Sequence, residues 1–202
     1  MTPSSLILQF YTIGAVKIDF NKGWILKDGS WSPIYINLRA LQSFPLVLKD
    51  IANMMYVLAK KQKLHYDLVA GIPLGAFPLG VAFSLISNTP HILPRMQSKK
   101  HGLGVKVDGV FSKNQKVLVI DDLITAATSK LEAIDELKAV GLRVSDVVVV
   151  LDREQGGKKE LAKHGIALHP LCTLKELLRV LVTKKKITKT VEKKLLEYLE
   201  HV

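Results

Sequence analysis

One stretch of the sequence decides the fold: residues 116–130 read KVLVIDDLITAATSK. The four apolar residues at 117–120 are typical of a short strand that is covered on both faces. Ser129, followed three residues later by Glu132, forms a capping-box pattern that predicts the start of a helix. Apolar residues then recur at helical spacing up to Val140, and a glycine follows as a predicted helix end. We therefore expect a strand, a short loop and a helix.

The loop between this strand and this helix is suited to a phosphorylated sugar. Asp121 and Asp122 offer carboxylates that can accept hydrogen bonds from ribose hydroxyls. Residues 125–129 offer backbone N–H groups and hydroxyls to a phosphate at the positive end of a helix dipole. The local pattern leaves an alternative open, which is a solvated Asp-Asp turn followed by an ordinary helix cap.

Strands and helices alternate over residues 46–151, which indicates an α/β fold with a mostly parallel central sheet and helices on both faces. The pattern further predicts a helix from residue 4 to about 14, short strands at 16–18 and 34–36, and a final helix at 190–199. Ligands of parallel sheets bind at the carboxyl ends of the strands. Four residues follow such ends: Gly71, Arg95, Asp121 and Asp152.

Composition favours one globular domain in a reducing compartment. The chain has 202 residues, of which 48% are hydrophobic, so it can build one sizeable core. The single cysteine, Cys172, excludes an intramolecular disulfide and is expected to be a buried, unreactive thiol. No signal pattern opens the chain and no apolar run is long enough to span a membrane, so a cytosolic protein is expected.

The formal net charge of +11 admits three kinds of partner: nucleic acid, an acidic membrane surface or small phosphorylated substrates. Much of the excess lies near the C-terminus, in the lysines at 184–186 and at 193 and 194. We interpret these lysines as a solvated helix face. Neither a membrane nor a nucleic acid is therefore expected as a partner.

Stretch 116–130 resembles the phosphoribosyl-pyrophosphate (PRPP) motif of type I phosphoribosyltransferases, and more narrowly that of the orotate phosphoribosyltransferases. Four further segments resemble parts of the same family, in its order and spacing across roughly residues 6 to 180. They are the N-terminal substrate segment (26–39), the pyrophosphate-side loop (71–79), the mobile catalytic loop (95–102) and the strand end that contacts orotate (151–157). The resemblance implies a type I phosphoribosyltransferase fold.

The same resemblance leads us to expect a single domain over residues 1–202. A small hood is expected from about 1–40, the core from about 46–180, and a basic C-terminal helix from about 188–201. The implied reaction converts orotate and PRPP into orotidine 5′-monophosphate and pyrophosphate in UMP biosynthesis. Mg²⁺ is carried by the substrate near Asp121 and Asp122 without direct protein ligands. A homodimer is also implied, in which the catalytic loop reaches the neighbouring subunit. Two alternatives stay open: a phosphoribosyltransferase for another base, or a catalytically weak, PRPP-binding regulator of nucleic acid.

The resemblance implies four catalytic residues: Lys99, His101, Asp121 and Asp122. The implied substrate-binding residues are these four together with Lys27, Tyr35, Ile36, Arg95, Thr125, Ala126, Ala127, Thr128, Ser129 and Arg153. Arg153 is expected to pair with the orotate carboxylate, and the alternative is a structural pair with Asp152. Lys27 is expected to reach the phosphates or the edge of orotate, and the alternative is a plain loop lysine. For Tyr35 the alternative is a core residue.

Two positions depart from the family pattern. Met96 stands where the family has a lysine that would face pyrophosphate, and loss of one preorganised charge typically slows a reaction by about 100- to 1,000-fold. Ala127 stands where the family usually has glycine. Its extra methyl group is expected to cost about 1 kcal/mol or more if the backbone φ angle there is positive.

Overall fold

A computed structural model describes residues 2–26, 29–95 and 106–200. The strands are β1 (Val16–Ile18), β2 (Trp24–Ile25), β3 (Trp31–Ser32), β4 (Ile34–Ile36), β5 (Leu68–Gly71), β6 (His91–Pro94), β7 (Val107–Asp108), β8 (Lys116–Ile124), β9 (Arg143–Asp152) and β10 (Ala167–Thr173). The helices are α1 (Pro3–Thr12), α2 (Pro45–Lys61), α3 (Phe77–Ser87), α4 (Thr128–Ala139), α5 (Gly157–Lys163), α6 (Leu174–Thr183) and α7 (Lys189–Glu200). A 3-10 helix, Leu38–Ser43, follows β4.

The central sheet has six strands in the order β10-β9-β8-β5-β6-β7. All neighbouring pairs are parallel except β6 and β7, which pair antiparallel. The predicted α/β fold with a mostly parallel sheet is therefore confirmed. Because β5 and β8 are parallel neighbours, the segments that follow them emerge at the same edge of the sheet.

Apolar side chains cover both faces of the sheet, which explains the continuous apolar run in β8. Leu118 and Ile120 belong to the cluster shared with α1, α2, α3 and α6. Val117 and Val119 belong to the cluster on the other face, shared with α4 and α5. Successive residues of a strand point to opposite faces, so an unbroken apolar run is what a strand buried on both sides requires.

The N-terminal segment forms a separate layer from two small antiparallel sheets, β1 with β4 and β2 with β3. Helix α7 packs against this layer. The Tyr198 hydroxyl donates to the Trp31 carbonyl at 2.8 Å, and their rings meet edge to face at 6.2 Å. The Lys194 ammonium lies over the Phe20 ring. In the described part of the chain, no helix has both the length and the apolar character to cross a bilayer.

Three sequence expectations need correction. The capping box at Ser129 is wrong: α4 begins at Thr128, its N-cap is Ala127 in the left-handed region, and no side chain caps it. The helix starts two residues earlier than this capping box predicts because the chain turns at Ala127, which puts Ser129 inside the first turn. Strand β8 continues to Ile124, so Asp121 and Asp122 lie in the strand and not in the loop. The sequence interpretation also missed β10, whose mixed burial and central Pro170 hide the strand period.

Candidate functional site

The site lies at the carboxyl ends of neighbouring parallel strands. Gly71 of β5 is in register with Ile120 of β8, and Ile124 of β8 is in register with Asp152 of β9. Each of the segments that follow begins at this edge. The predicted convergence of the motifs follows from this register.

Residues 125–129 form a loop of unsatisfied donors at the start of α4. None of their backbone amides donates to an acceptor in the described part of the chain. Thr125 is half-buried, whereas Ala126, Thr128 and Ser129 are exposed. The amides lie at the positive end of a helix of 12 residues. Such a loop can bind a phosphate group without any basic side chain.

Gly157 explains how the next strand–helix connection fits beside this loop. A Cβ atom on Gly157 would lie 2.3 Å from the Thr125 carbonyl oxygen and 2.7 Å from the Ile124 side chain. Any larger residue would push the loop at Thr125 out of place. Sequence reasoning did not single out this glycine for packing, although it lies in the segment assigned to orotate contact.

Ala127 adopts the left-handed conformation, with φ 70° and ψ −2°, and it is buried. This is the strained alternative that the sequence interpretation described, so the methyl group is expected to cost about 1 kcal/mol relative to glycine. The conformation turns the chain from β8 into α4. It thereby sets the direction of the loop amides.

Asp121 faces α4 and is closed off from solvent. Its side chain is 4% exposed, and its carboxylate lies 2.6 Å from the Lys130 ammonium. Lys130 also donates to the Leu123 carbonyl at 2.6 Å, while the Asp122 amide donates to Asp121 at 2.8 Å. Burial raises the pKa of Asp121 to about 7; the Lys130 charge opposes this shift and the Asp122 charge adds to it.

Lys130 was missed by the sequence interpretation, although a signal was present. It lies four and seven residues before Ile134 and Leu137, and all three are buried in α4. A lysine on the apolar face of a helix needs a buried partner, since an unpaired buried charge is very costly. Asp121 is that partner.

Asp122 faces the opposite side of β8 and is half-buried. A Cβ atom built on Gly75 would lie 3.1 Å from the Asp122 carboxylate and 3.1 Å from the Arg39 side chain. The two neighbouring aspartates therefore have different surroundings. The prediction that both bind a ribose stays a prediction, and the geometry favours Asp122 for direct contact because Asp121 is already enclosed and paired.

The loop from Gly71 to Ala76 is anchored to the same strand. The Ile72 amide donates to the Ile120 carbonyl at 3.0 Å, and the Ala76 amide donates to the Ile72 carbonyl at 3.1 Å. These bonds hold Gly75 opposite Asp122. The predicted pyrophosphate-side loop thus lies beside the predicted ribose-binding strand.

Arg95, at the end of β6, forms an ion pair and hydrogen bond with Asp108 in β7. The pair is partly exposed, so it holds the side chain in place more than it stabilises the fold. Four residues named from the sequence lie outside the described residues: Lys27, Met96, Lys99 and His101.

Asp152 ends β9 and Arg153 follows it, and the two residues line different cavities. Arg153 is 7% exposed and borders a cavity of about 300 Å³ with Glu154, Lys175, Leu196 and Leu199. Asp152 borders a cavity of about 330 Å³ and accepts the Glu154 amide at 2.8 Å. Burial raises the pKa of Asp152, and this amide opposes the shift. Arg153 thus lines a cavity next to α7, apart from the cavity that Asp152 lines.

Tyr35 and Ile36 are half-buried in β4, which pairs with β1. The Tyr35 ring stacks on Trp24, with centroids 5.8 Å apart. Tyr35 therefore has a packing role within the N-terminal layer, and this is the alternative that the sequence left open.

A further cavity, of about 410 Å³, lies at the opposite edge of the sheet. It is lined by Asp67 and Lys116, which precede or begin β5 and β8. Of the sequence motifs, only the stretch 116–130 borders it, through its first residue, Lys116. Because parallel sheets bind ligands at the carboxyl ends of their strands, we place the candidate site at the other edge.

The carboxylates present fit a metal that is carried by a ligand. Among the described residues, no three His, Cys, Asp or Glu side chains cluster as a metal cage would require. Asp122 presents a half-exposed carboxylate at the end of β8. Mg²⁺ keeps several waters and prefers substrate phosphates, so one such carboxylate is a sufficient protein contribution.

Comparison with known proteins identifies the family. A scan of the sequence against models of known protein families finds no match. The chain is 35% identical to bovine uridine 5′-monophosphate synthase over 190 residues, which cover 94% of this chain and 39% of that protein. It is also 35% identical to an orotate phosphoribosyltransferase of Chlamydia caviae over 187 residues, which cover 91% of this chain and 88% of the relative.

Among solved structures, UMP synthase of Leishmania donovani matches with a TM-score of 0.87 and 30% identity, covering 100% of this chain and 43% of that one. The chain thus spans about two-fifths of the length of both UMP synthases. The match to the Chlamydia caviae protein extends over most of both chains. On this basis, and with motifs that converge at one edge of a parallel sheet, the chain belongs to the orotate phosphoribosyltransferase family.

Proposed function

We propose that this chain transfers the 5-phosphoribosyl group of PRPP to orotate, forming orotidine 5′-monophosphate and pyrophosphate in UMP biosynthesis. The observation that carries the proposal is the unsatisfied loop at residues 125–129, which follows the Asp122 carboxylate by three residues at the end of β8. A phosphate and a ribose need these two features side by side. The family relationship supplies the acceptor base.

The 5-phosphate binds to the backbone amides and hydroxyls of the loop formed by Thr125, Ala126, Ala127, Thr128 and Ser129. Asp122 accepts hydrogen bonds from the ribose hydroxyls. Asp121 keeps its pair with Lys130 and acts through it, because Lys130 also holds the Leu123 carbonyl and so fixes the entry into the loop. The sugar is thereby held by two rigid elements, β8 and α4.

The reaction is driven by position and charge. Attack of orotate N1 at the anomeric carbon makes the ribose ring more positive and the leaving pyrophosphate more negative. Preorganised groups that meet these developing charges lower the barrier, and no protein nucleophile is needed. Asp122 would help to hold Mg²⁺, and the ion would supply positive charge to the leaving group.

Orotate binds between the N-terminal layer and the end of β9. The Arg153 guanidinium pairs with the orotate carboxylate from the wall of its cavity. Backbone groups of Tyr35 and Ile36 line the face of the base. Arg153 is the residue that selects an acidic base over a neutral one.

Three cationic side chains and one histidine complete the site in this proposal: Lys27, Arg95, Lys99 and His101. They approach the phosphates, and the segment that carries Lys99 and His101 serves the neighbouring subunit of a homodimer. Closure over the substrates excludes water from the reacting atoms. We further propose that the protein works in the cytosol, without a membrane or nucleic acid as partner.

A turnover assay with a panel of bases tests the proposal. Orotate absorbance should fall only when both PRPP and Mg²⁺ are present, and uracil, adenine, guanine and hypoxanthine should not react. Arg153→Lys keeps the charge and loses the planar fork, so it should raise the KM for orotate more than that for PRPP. Turnover of another base in preference to orotate would contradict the proposal. Light scattering during size exclusion then tests the homodimer.

A further inference from the structure

Arg39 lies at the candidate site, but the proposed function gives it no role. It belongs to the 3-10 helix after β4, in which Leu38 and Leu41 are buried and anchor the helix. Arg39 itself is exposed. It makes no hydrogen bond or ion pair with any other described residue. A guanidinium in this state is available to a ligand.

The Arg39 side chain extends over Gly75 towards Asp122. A Cβ atom on Gly75 would lie 3.1 Å from Arg39 Nε and 3.1 Å from Asp122 Oδ2, so these two atoms are at most twice that distance apart. They are nevertheless not joined in an ion pair. A cation and a carboxylate thus face the same small space, above a residue that has no side chain to fill it.

We propose that Arg39 is a substrate-binding residue whose guanidinium binds the diphosphate of PRPP across Gly75, beside the ribose held by Asp122. The inference rests on the proposed function, since it assigns a binding residue to the same reaction. It adds a charge that comes from the 3-10 helix and not from the loops at the strand ends. The N-terminal layer would then help to bind the leaving group.

The chemistry suits a guanidinium at this position. Its planar fork can form two parallel hydrogen bonds to phosphate oxygens, and it stays charged at every accessible pH. The diphosphate becomes more negative as its bond to the ribose breaks, so a fixed cation stabilises the transition state more than the ground state. The adjacent Asp122 carboxylate repels a bare anion. It suits PRPP, which would present ribose hydroxyls and a metal ion on that side.

A plainer role for Arg39 would be a solvated charge that pairs loosely with Asp122. An exposed pair of this kind contributes little to stability and nothing specific to ligand affinity. The two roles therefore differ in which ligands a substitution affects. Loss of a diphosphate contact weakens PRPP and pyrophosphate, and it spares ribose 5-phosphate, which has no diphosphate.

Calorimetric titration of the full chain in Mg²⁺ buffer separates these cases. Arg39→Gln should weaken PRPP and pyrophosphate binding by about 10- to 100-fold and leave ribose 5-phosphate binding within about twofold. Arg39→Lys should give an intermediate loss, because it keeps the charge without the fork. Arg179→Gln is the matched control, since it removes an exposed arginine from α6. It should leave all three affinities unchanged.

A rescue experiment tests the position of the charge. The double variant Arg39→Ala/Gly75→Lys places a lysine side chain at position 75, between position 39 and Asp122. The arginine side chain that would crowd this lysine is removed by the first substitution. Pyrophosphate affinity should recover at least tenfold relative to Arg39→Ala. Recovery by an ammonium at this point would support a direct contact with the diphosphate.

Three results would overturn the inference, and only the last of them would also overturn the proposed function. Arg39→Gln could match Arg179→Gln in pyrophosphate affinity while the wild type still converts orotate and PRPP, and this result would leave the proposed function intact. An equal loss of affinity for PRPP, pyrophosphate and ribose 5-phosphate in a folded Arg39→Gln protein would also contradict the diphosphate contact. A wild-type protein that binds neither PRPP nor pyrophosphate would overturn the inference and the proposed function together.

Discussion

The two faces of β8 hold neighbouring aspartates in opposite states. On the face towards α4, Asp121 is enclosed, paired with Lys130 and shifted towards its protonated form. On the other face, Asp122 is half-exposed and meets Gly75 and Arg39 without an ion pair. One residue step along a strand reverses the face, so a two-residue motif places one carboxylate in the interior and one at the ligand.

This difference assigns different work to the two residues. The Asp121–Lys130 pair ties the end of β8 to the first turn of α4, which presents the loop amides. Within the described part of the chain, Asp122 does not form such a structural pair, so its carboxylate can contact a substrate. Substitutions on the α4 face should therefore affect stability first, and those on the Gly75 face should affect ligand binding first.

Lys130→Met is expected to have the largest effect. It removes the partner of a buried carboxylate, and such a change typically lowers the free energy of unfolding by about 3–5 kcal/mol. Chemical denaturation at pH 8 measures the loss. Lys138→Met, at an exposed position of the same helix, is the control and should change stability by less than about 0.5 kcal/mol. An equal loss of unfolding free energy in both variants would contradict the structural role that distinguishes the α4 face of β8.

Asp122→Asn should lower kcat/KM for PRPP by about 100- to 1,000-fold, because a preorganised charge at the reacting sugar is lost. Thermal unfolding should be nearly unchanged, since the residue is half-exposed and makes no ion pair with another described residue. Steady-state kinetics and a melting curve measure both properties. Asp135→Asn, an exposed position of α4, serves as the control. A folded Asp122→Asn protein with wild-type kinetics would assign the ligand to the other face.

Asp121→Asn should alter the pH dependence of stability. The pKa of Asp121 is raised in the folded state, so its contribution to stability is present below the unfolded value near 3.8 and is lost as the pH rises through about 7. Relative to the asparagine variant, the wild type should therefore lose stability from about pH 4 to pH 7, by at most about 1.4 kcal/mol per pH unit. Denaturation at several pH values measures the difference, and a pH-independent difference would refute the raised pKa.

Ala127→Gly should have the smallest effect. Glycine adopts a positive φ without the steric cost that alanine meets, so the free energy of unfolding should rise by up to about 1 kcal/mol. Ala126→Gly is the control in the same loop, because Ala126 does not have a positive φ. It should lower stability or leave it unchanged. Loss of stability in both variants would mean that Ala127 carries no strain.

The sequence predicted the architecture well because its signals were local. The apolar run in β8 and the stripe of α4 each determine an element by periodicity alone, and the order of elements then implies the parallel sheet. The loop at residues 125–129 followed from its position between them. Helix α7 was likewise predicted from its packing stripe, in which Leu195 is buried.

The remainder depended on contacts that no local pattern encodes. The capping-box prediction was wrong because the chain turns at Ala127 in a left-handed conformation, and an alanine in the sequence does not indicate that conformation. The separation of Asp121 from Asp122 required the strand to continue beyond the apolar run. Arg39 reaches the site across Gly75 from a segment 36 positions away in the chain, and only the folded structure brings them together.

A crystal structure with PRPP and Mg²⁺ tests the division between the two aspartates most directly. We expect the 5-phosphate on the amides of residues 125–129, the ribose hydroxyls on Asp122, and Asp121 still paired with Lys130. Ribose hydroxyls bound to Asp121, with Lys130 displaced from it, would contradict the assignment of the two faces.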